Sequence, residues 1–256
     1  MAELKPQGNF KGNINKAEQK QLKKFKITFI IVAVVLVVSI GITAINYIGR
    51  NTNTGSANLT DYDIPVYDHQ TYEILNNNVP FFNPEDYGQT VFEEYSELDA
   101  YGRCGVAFAN ICHELMPTEP RGEIGQIKPS GWNQEKYPGV VDSEPPYLYN
   151  RCHLIGFQLS GENDNEKNLI TGTRYFNVNG MLPFENAVRT YVDKTDNHVL
   201  YRVTPVYDGN NLVASGVIME AWSVEDEGSG VSFNVFVYNV QPGIEINYLD
   251  GSSSLK

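Results

Sequence analysis

The sequence contains few cysteines. Cys104, Cys112 and Cys152 are the only three in 256 residues, so at most one disulfide could form and no disulfide framework can hold the fold. Cys104 and Cys112 lie eight residues apart in a stretch that is typical of a strand, which is too far for a bridge between them. We therefore expect free and mostly buried thiols.

Basic residues are scarce beyond the first fifth of the chain. Residues 1–50 hold eight Lys or Arg and two Glu, whereas residues 51–256 hold 11 basic and 29 acidic groups, a net charge of −18. Nucleic-acid-binding proteins usually gain affinity by neutralising phosphates with Lys and Arg. The acidic balance therefore argues against extended basic patches and against sequence-specific readout of a nucleic acid.

One long apolar run separates the two charge regions. Residues 27–48, ITFIIVAVVLVVSIGITAINYI, contain no charged residue. As a helix this run would span about 33 Å, which is enough for the hydrocarbon core of a bilayer. A cleaved signal peptide is the alternative, but its apolar region is usually about 7–15 residues long and no clear A-x-A site follows. We predict an uncleaved membrane anchor.

The lysines beside this run predict its orientation. Five of them lie on its N-terminal flank between residues 16 and 26, and after Arg50 no Lys or Arg occurs before Arg103. The positive-inside rule then predicts a cytoplasmic basic tail over residues 1–26, the anchor over 27–48, a linker over 49–60 and an extracytoplasmic domain over 61–256. The expected location is a cell membrane, crossed once, with the lipid bilayer as a partner of residues 27–48.

Strand patterns dominate the domain. Apolar or alternating runs over residues 101–111, 198–207, 212–223 and 231–240 predict strands, and Asp208-Gly209 predicts a hairpin turn. One helix is predicted near residues 174–194, where Gly180 and Pro183 should kink or split it. The predicted fold class is α+β, with a central antiparallel sheet and few helices.

Residues 147–159, YLYNRCHLIGFQL, place polar side chains inside an apolar stretch. His153 is suited to general-base catalysis, because an unperturbed imidazole has a pKa of about 6.5. Arg151 faces the same side of a strand as His153. Downstream, Asn177 offers an amide oxygen that suits Mg²⁺, and Glu185 would project about 80° from it on a continuous α-helix. These four residue types make a plausible set for phosphodiester hydrolysis.

The same positions resemble the signature of the DNA/RNA non-specific endonucleases with the ββα-metal fold. The family signature Asp-Arg-Gly-His is followed by Asn, by a second Asn nine residues later and by Glu eight residues after that. The matching residues here are Asn150, Arg151, Cys152 and His153, followed by Asn168, Asn177 and Glu185. Residues 116–133 resemble the family segment with a further functional arginine, here Arg121. The resemblance spans roughly residues 75–250 and extends to the membrane-anchored DNA-entry nucleases of bacteria.

The resemblance implies a role for each matched residue. His153 would take a proton from the attacking water, Asn177 would bind Mg²⁺ directly, and Glu185 would hold one of the waters of the metal. Asn168 would help to position the site. Arg121 and Arg151 would balance the charge that develops on the phosphate.

The implied activity is magnesium-dependent hydrolysis of DNA. Mn²⁺ is the alternative metal and RNA the alternative substrate. The biological role, and with it an immunity protein or an uptake complex as a partner, stays open.

Two positions depart from the family signature. Asn150 removes a negative charge but keeps the hydrogen-bonding shape of Asp. Cys152 replaces a glycine, which matters only if that position needs a positive φ, and a plain extended strand would accept cysteine without strain. Because Asn150 and Cys152 face away from His153 on such a strand, we predict that Cys152→Gly leaves cleavage intact or improves it.

Two alternative functions stay open. Cys152 could be the nucleophile of a thiol hydrolase, although adjacent strand residues point to opposite faces, so a histidine other than His153 would have to serve as its base. The domain could also be a catalytically degenerate nuclease fold that acts as a surface binding or assembly module. The substitutions at Asn150 and Cys152 and the acidic surface motivate that second alternative.

Overall fold

The computed structural model describes residues 66–256. The predicted basic tail, membrane anchor and linker all lie outside the described residues. Between residues 66 and 256, no helix combines the length and the apolar character needed to cross a membrane.

Ten strands and two α-helices make up the regular structure of the described residues. The strands are β1 (Tyr72–Ile74), β2 (Glu93–Tyr95), β3 (Ala107–Ile111), β4 (Tyr149–His153), β5 (Leu169–Thr173), β6 (Val199–Val206), β7 (Gly216–Ser223), β8 (Ser232–Tyr238), β9 (Ile244–Ile246) and β10 (Ser253–Leu255), and the α-helices are α1 (Phe157–Ser160) and α2 (Leu182–Thr195). A π-helical turn over Phe176–Met181 leads directly into α2.

The central sheet has six strands in the order β1-β8-β7-β6-β3-β2, and every neighbouring pair is antiparallel. The predicted hairpin is present, because β6 pairs with β7 across the turn that contains Gly209. The predicted α+β class with a central antiparallel sheet and few helices is therefore confirmed.

The prediction of a strand over residues 101–111 was wrong for its first half. β3 begins only at Ala107. The carboxylate of Asp99 accepts hydrogen bonds from the backbone N–H groups of Tyr101 and Arg103, which folds this part of the chain into a turn. The expectation of free thiols holds, since all three cysteines are buried and unbridged.

The two faces of the central sheet are covered by different parts of the chain. One face packs against the π-helical turn and α2, through side chains such as Tyr201, Phe176 and Val188. On the other face Arg202 and Glu220, which pair across β6 and β7, form an ion pair of 2.7 Å with both side chains about 1% exposed. The ring of Phe82 lies under the guanidinium of Arg202 and closes this face.

The candidate site lies on a separate ββα unit. β4 pairs only with β5 in a two-stranded antiparallel ladder, in register from Tyr149 opposite Thr173 to His153 opposite Leu169. The chain then leaves β5 and enters the π-helical turn and α2. This connection brings the π-helical turn with Asn177, and α2 with Glu185, next to the strand that carries His153.

The predicted helix near residues 174–194 is present, and its type changes between Gly180 and Pro183, the two residues expected to kink or split it. The helix changes from π to α type between Met181 and Leu182. Pro183 then falls in the first turn of α2, where its missing N–H is not needed. A Cβ at Gly180 would lie 2.5 Å from the Val237 side chain, so this glycine lets the helix pack closely on β8.

Candidate active site

The tautomer of His153 follows from its hydrogen bonds. The Nε2 atom lies 2.8 Å from the carbonyl oxygen of Asn163, and because a carbonyl only accepts, Nε2 carries the proton. Nδ1 therefore keeps its lone pair, which accepts a hydrogen bond from the Nη2 atom of Arg121 at 3.4 Å. Burial lowers the pKa of His153 to about 4. His153 is thus a neutral imidazole at neutral pH, with Nδ1 as its basic atom.

Arg121 lies in the irregular segment between β3 and β4, 32 residues before His153, and the fold brings the two side chains together. Its positive charge also reaches Glu185, where it opposes the effect of burial on the pKa of that carboxyl. Arg121, which belongs to no helix or strand, therefore contacts His153 and influences Glu185.

Glu185 lies in the first turn of α2 and is 8% exposed. A Cβ at Gly156 would lie 2.6 Å from its Oε2 atom, so the glycine after β4 leaves room for this carboxylate. Burial raises the pKa of Glu185 to about 7. A cation beside the carboxylate would favour its charged form.

Asn177 lies on the π-helical turn and is half-buried. Within residues 66–256 its side-chain amide makes no hydrogen bond, so its oxygen is free to bind a ligand. Asn177 belongs to the π-helical turn and Glu185 to α2. The angular separation of about 80° that is expected for a continuous α-helix therefore does not apply.

The donor set fits a hard cation that keeps most of its waters. No group of three or more His, Cys, Asp or Glu in the described part of the chain could hold a metal ion. Asn177 would supply one neutral oxygen ligand, and the carboxylate of Glu185 would hold one of the waters of the metal. Mg²⁺ needs few protein ligands and retains several waters, so these two residues are suited to it.

The contacts of Asn168 agree with the positioning role expected for it and leave no direct contact with a substrate. Its side chain is fully buried, accepts a hydrogen bond from the N–H of Ile155 at 2.9 Å and donates one to the carbonyl of Ile155 at 3.0 Å. Its own carbonyl accepts from the N–H of Leu154. Asn168 therefore holds the backbone that follows His153 and cannot touch a substrate, so it is a positioning residue.

The guanidinium of Arg151 makes structural contacts beside the site. Its Nε donates to the carbonyl of Ile127, its Nη2 donates to the carbonyl of Gly125 at 2.7 Å, and the guanidinium lies 4.2 Å from the ring centre of Trp132. Two of its donors are thus used by the segment that carries Arg121. Arg151 holds that segment against β4 instead of facing Nδ1 of His153.

Cys152 lies on the core side of β4 and is fully buried. A Cβ at Gly172 would lie 2.5 Å from its Sγ atom, so the thiol fills the space that this glycine leaves on β5. Burial raises the pKa of the Cys152 thiol well above its ordinary value. The thiol is therefore protonated and inaccessible at neutral pH, which argues against the thiol-hydrolase alternative.

Cysteine replaces the signature glycine without backbone strain. Cys152 belongs to the extended strand β4 and is not among the residues with positive φ. Position 152 therefore has the extended conformation and not the positive φ that would require glycine.

Sequence reasoning missed two contacts of the site residues. The Nε2 atom of Gln158, on α1, donates to Oε2 of Glu185 at 3.5 Å. No spacing pattern in the sequence pointed to Gln158, because α1 and α2 are brought together only by the fold. Asn163 acts on His153 through its main-chain carbonyl, so no side-chain pattern could have indicated it.

An open cleft of about 460 Å³ adjoins the site. Pro117, Glu119 and Pro120 line it from one side, and Phe157 and Asn163 from the other. The lining residue Asn163 binds Nε2 of His153 through its carbonyl, so the cleft lies beside the residue that fixes the tautomer of His153.

Residues 85–225 match the model of the DNA/RNA non-specific endonuclease family, which is more than half of the chain. The chain belongs to this family. A deoxyribonuclease from Streptococcus dysgalactiae subsp. equisimilis is 34% identical over 110 residues, which are 41% of this chain and 32% of that protein. The chain therefore matches about a third of the length of that deoxyribonuclease.

Solved structures of nucleases share the fold. NucA from Streptococcus agalactiae, with a magnesium ion bound, is 27% identical with a TM-score of 0.62, over 72% of this chain and 86% of NucA. The Sda1 nuclease, with a bound zinc ion, is 24% identical with a TM-score of 0.61, over 73% of this chain and 96% of Sda1. The family resemblance is thus confirmed, and the chain has the fold of a family of metal-dependent endonucleases.

Proposed function

We propose that the domain is an endonuclease that hydrolyses phosphodiester bonds of DNA, with His153 as general base. The observation that carries this proposal is the state of Nδ1. This atom is unprotonated, its tautomer is held by the carbonyl of Asn163, and it faces Arg121, whose charge suits a phosphate. RNA is the second candidate substrate.

In the proposed reaction Nδ1 of His153 takes the proton of the attacking water. The Nε2–H bond to Asn163 keeps the imidazole in place while it becomes positive. The pKa of about 4 applies to the protein without substrate. A phosphodiester anion beside Nδ1 would raise this pKa towards neutrality and strengthen the base.

Arg121 would donate to a non-bridging oxygen of the phosphate, where negative charge grows as water attacks. Mg²⁺, held by Asn177 directly and by Glu185 through a water, would supply Lewis-acid stabilisation of that charge. Mn²⁺ is an alternative, because the ligands are oxygens. Asn168 and Arg151 support the reaction by holding the backbone after His153 and the Arg121 segment.

Digestion of plasmid DNA and of RNA by the purified full chain tests this function. We expect cleavage with Mg²⁺, none with EDTA, and a loss of about 10²- to 10⁴-fold for His153→Ala, the contribution of a positioned general base. His113→Ala is the matched control, since His113 is an exposed histidine bound to Asp196.

Full activity in EDTA or in His153→Ala would contradict the proposed mechanism. An absence of cleavage with every divalent metal would instead favour the degenerate fold that acts as a surface binding or assembly module.

We also propose that the nuclease domain is held outside the cytoplasm of a bacterium by the apolar run over residues 27–48. The absence of charge in this run and the lysines on its N-terminal flank support the proposal. In that location the enzyme would meet nucleic acid from outside the cell.

A further inference from the structure

A short segment runs antiparallel beside β4, along the edge that β5 does not cover. The N–H of Leu148 donates to the carbonyl of Glu135, and the side-chain amide of Gln134 bonds both the N–H and the carbonyl of Tyr149. Lys136 and Tyr147 form an antiparallel bridge. Residues 134–136 therefore pair with residues 147–149, at the start of the strand that carries His153.

Two cation–aromatic pairs occur in this register. The guanidinium of Arg151 lies 4.2 Å from the ring centre of Trp132, and the Nζ atom of Lys136 lies 4.8 Å from that of Tyr147. Lys136 is exposed and Tyr147 is 39% exposed. These four residues form a surface that we call the aromatic–basic wall.

The charge around the wall differs from that of the rest of the domain. Residues 121–151 contain four basic and four acidic residues, so they carry no net charge. The other described residues contain seven basic and 23 acidic groups, a net charge of −16. The segment that contains the wall thus lacks the net negative charge that the other described residues carry and that would repel a polyanion.

The length of the wall suits several nucleotides. Tyr147 and His153 are six positions apart, which is about 20 Å along an extended strand. Phosphates of one DNA strand follow one another every ~3.4 Å of helix axis. The far end of the wall would therefore lie about six nucleotides from the bond that is cut.

We propose that the aromatic–basic wall binds the nucleic-acid strand that flanks the scissile phosphate, with Tyr147 stacking on a base and Lys136 pairing with a phosphate. Aromatic rings stack on every base, so this contact adds affinity without sequence specificity. The inference deepens the proposed nuclease function and rests on it.

Steady-state kinetics of the purified full chain with two substrates test the wall. Long DNA reaches Tyr147, whereas bis(p-nitrophenyl) phosphate occupies only the catalytic centre. In Tyr147→Ala and in Lys136→Ala we expect the KM for DNA, divided by the KM for the small ester, to rise at least about threefold. Tyr147→Phe should restore the ratio, because it keeps the ring.

Tyr101→Ala is the matched control, since Tyr101 is an exposed tyrosine that also contacts a cation, Arg103. Lys136→Ala should also lower the slope of log affinity against log salt by about one. Ratios in both wall variants equal to that of Tyr101→Ala would overturn the inference.

Anisotropy of a labelled oligonucleotide in EDTA measures the same contribution without cleavage. The dissociation constants of the two wall variants are again expected to exceed that of Tyr101→Ala, and equal values would overturn the inference. This measurement separates failure of the wall from failure of the proposed nuclease function, because a protein without activity can still bind through Tyr147 and Lys136.

Discussion

At the scale of single residues, Cys152 allows the packing of β4 to be tested separately from the chemistry of His153. Its Sγ atom fills the space above Gly172 on the core side of β4, whereas His153 faces the segment that carries Arg121. A substitution at Cys152 should therefore act on packing before it acts on catalysis.

We expect Cys152→Gly to lower the free energy of unfolding by about 2–3 kcal/mol, because it leaves a cavity and adds chain entropy in the unfolded state. DNA cleavage at 25 °C should stay intact or improve, since the position needs no side chain for catalysis. Urea unfolding and cleavage assays on the same samples measure both effects.

Cys152→Ala, which keeps the Cβ atom, is the control and should lose less stability. A folded Cys152→Gly protein with cleavage reduced tenfold or more would show that the thiol supports the site directly.

At the scale of elements, Asn168 ties the end of β4 to the start of β5. Both of its side-chain hydrogen bonds go to the backbone of Ile155, two residues after His153. Asn110 on β3 is a comparable buried asparagine, whose amide donates to the carbonyls of Gly88 and Thr90. Substitutions at Asn168 and Asn110 can therefore be compared to distinguish an effect on the position of the backbone after His153 from a loss of stability.

We expect Asn168→Ala to cost about 2–4 kcal/mol of stability, because it leaves a buried N–H and carbonyl without partners. In folded protein, kcat should fall at least tenfold, while the KM for DNA changes little. Asn110→Ala should lose comparable stability with an unchanged kcat. Equal kcat values in the two variants would remove the positioning role of Asn168.

At the scale of the whole molecule, the main prediction concerns residues that lie outside the described part of the chain. We expect the full chain, expressed in a bacterium, to sediment with the membranes, and external protease to digest the domain in intact cells. A chain without residues 1–48 should be found in the soluble fraction.

Val35→Arg provides the matched control for this fractionation. A charge at the centre of the run should cost about 2.5–3.5 kcal/mol of insertion free energy, so membrane association should weaken. Full release of the unaltered protein from cells would support a cleaved signal peptide instead.

Much of the fold could be predicted from local patterns. The strands β6, β7 and β8 and the helix α2 follow from periodicity within single segments. Residues 101–106 could not be assigned in this way, because the carboxylate of Asp99 competes for the backbone of this apolar stretch. The π-helical turn that contains Gly180, and the close packing of this glycine on β8, had no signal in the sequence.

The sequence by itself determined the family, through the spacing of His153, Asn168, Asn177 and Glu185, and the strand and helix segments, through their periodicity. Only the tertiary structure decided what several of these residues do. It shows that Nδ1 is the basic atom of His153, that Asn168 is a buried positioning residue and that Arg151 holds a neighbouring segment. The physical reason is that hydrogen-bond partners, burial and charge depend on residues far apart in the chain, such as Arg121 and His153, which sequence spacing alone does not bring together.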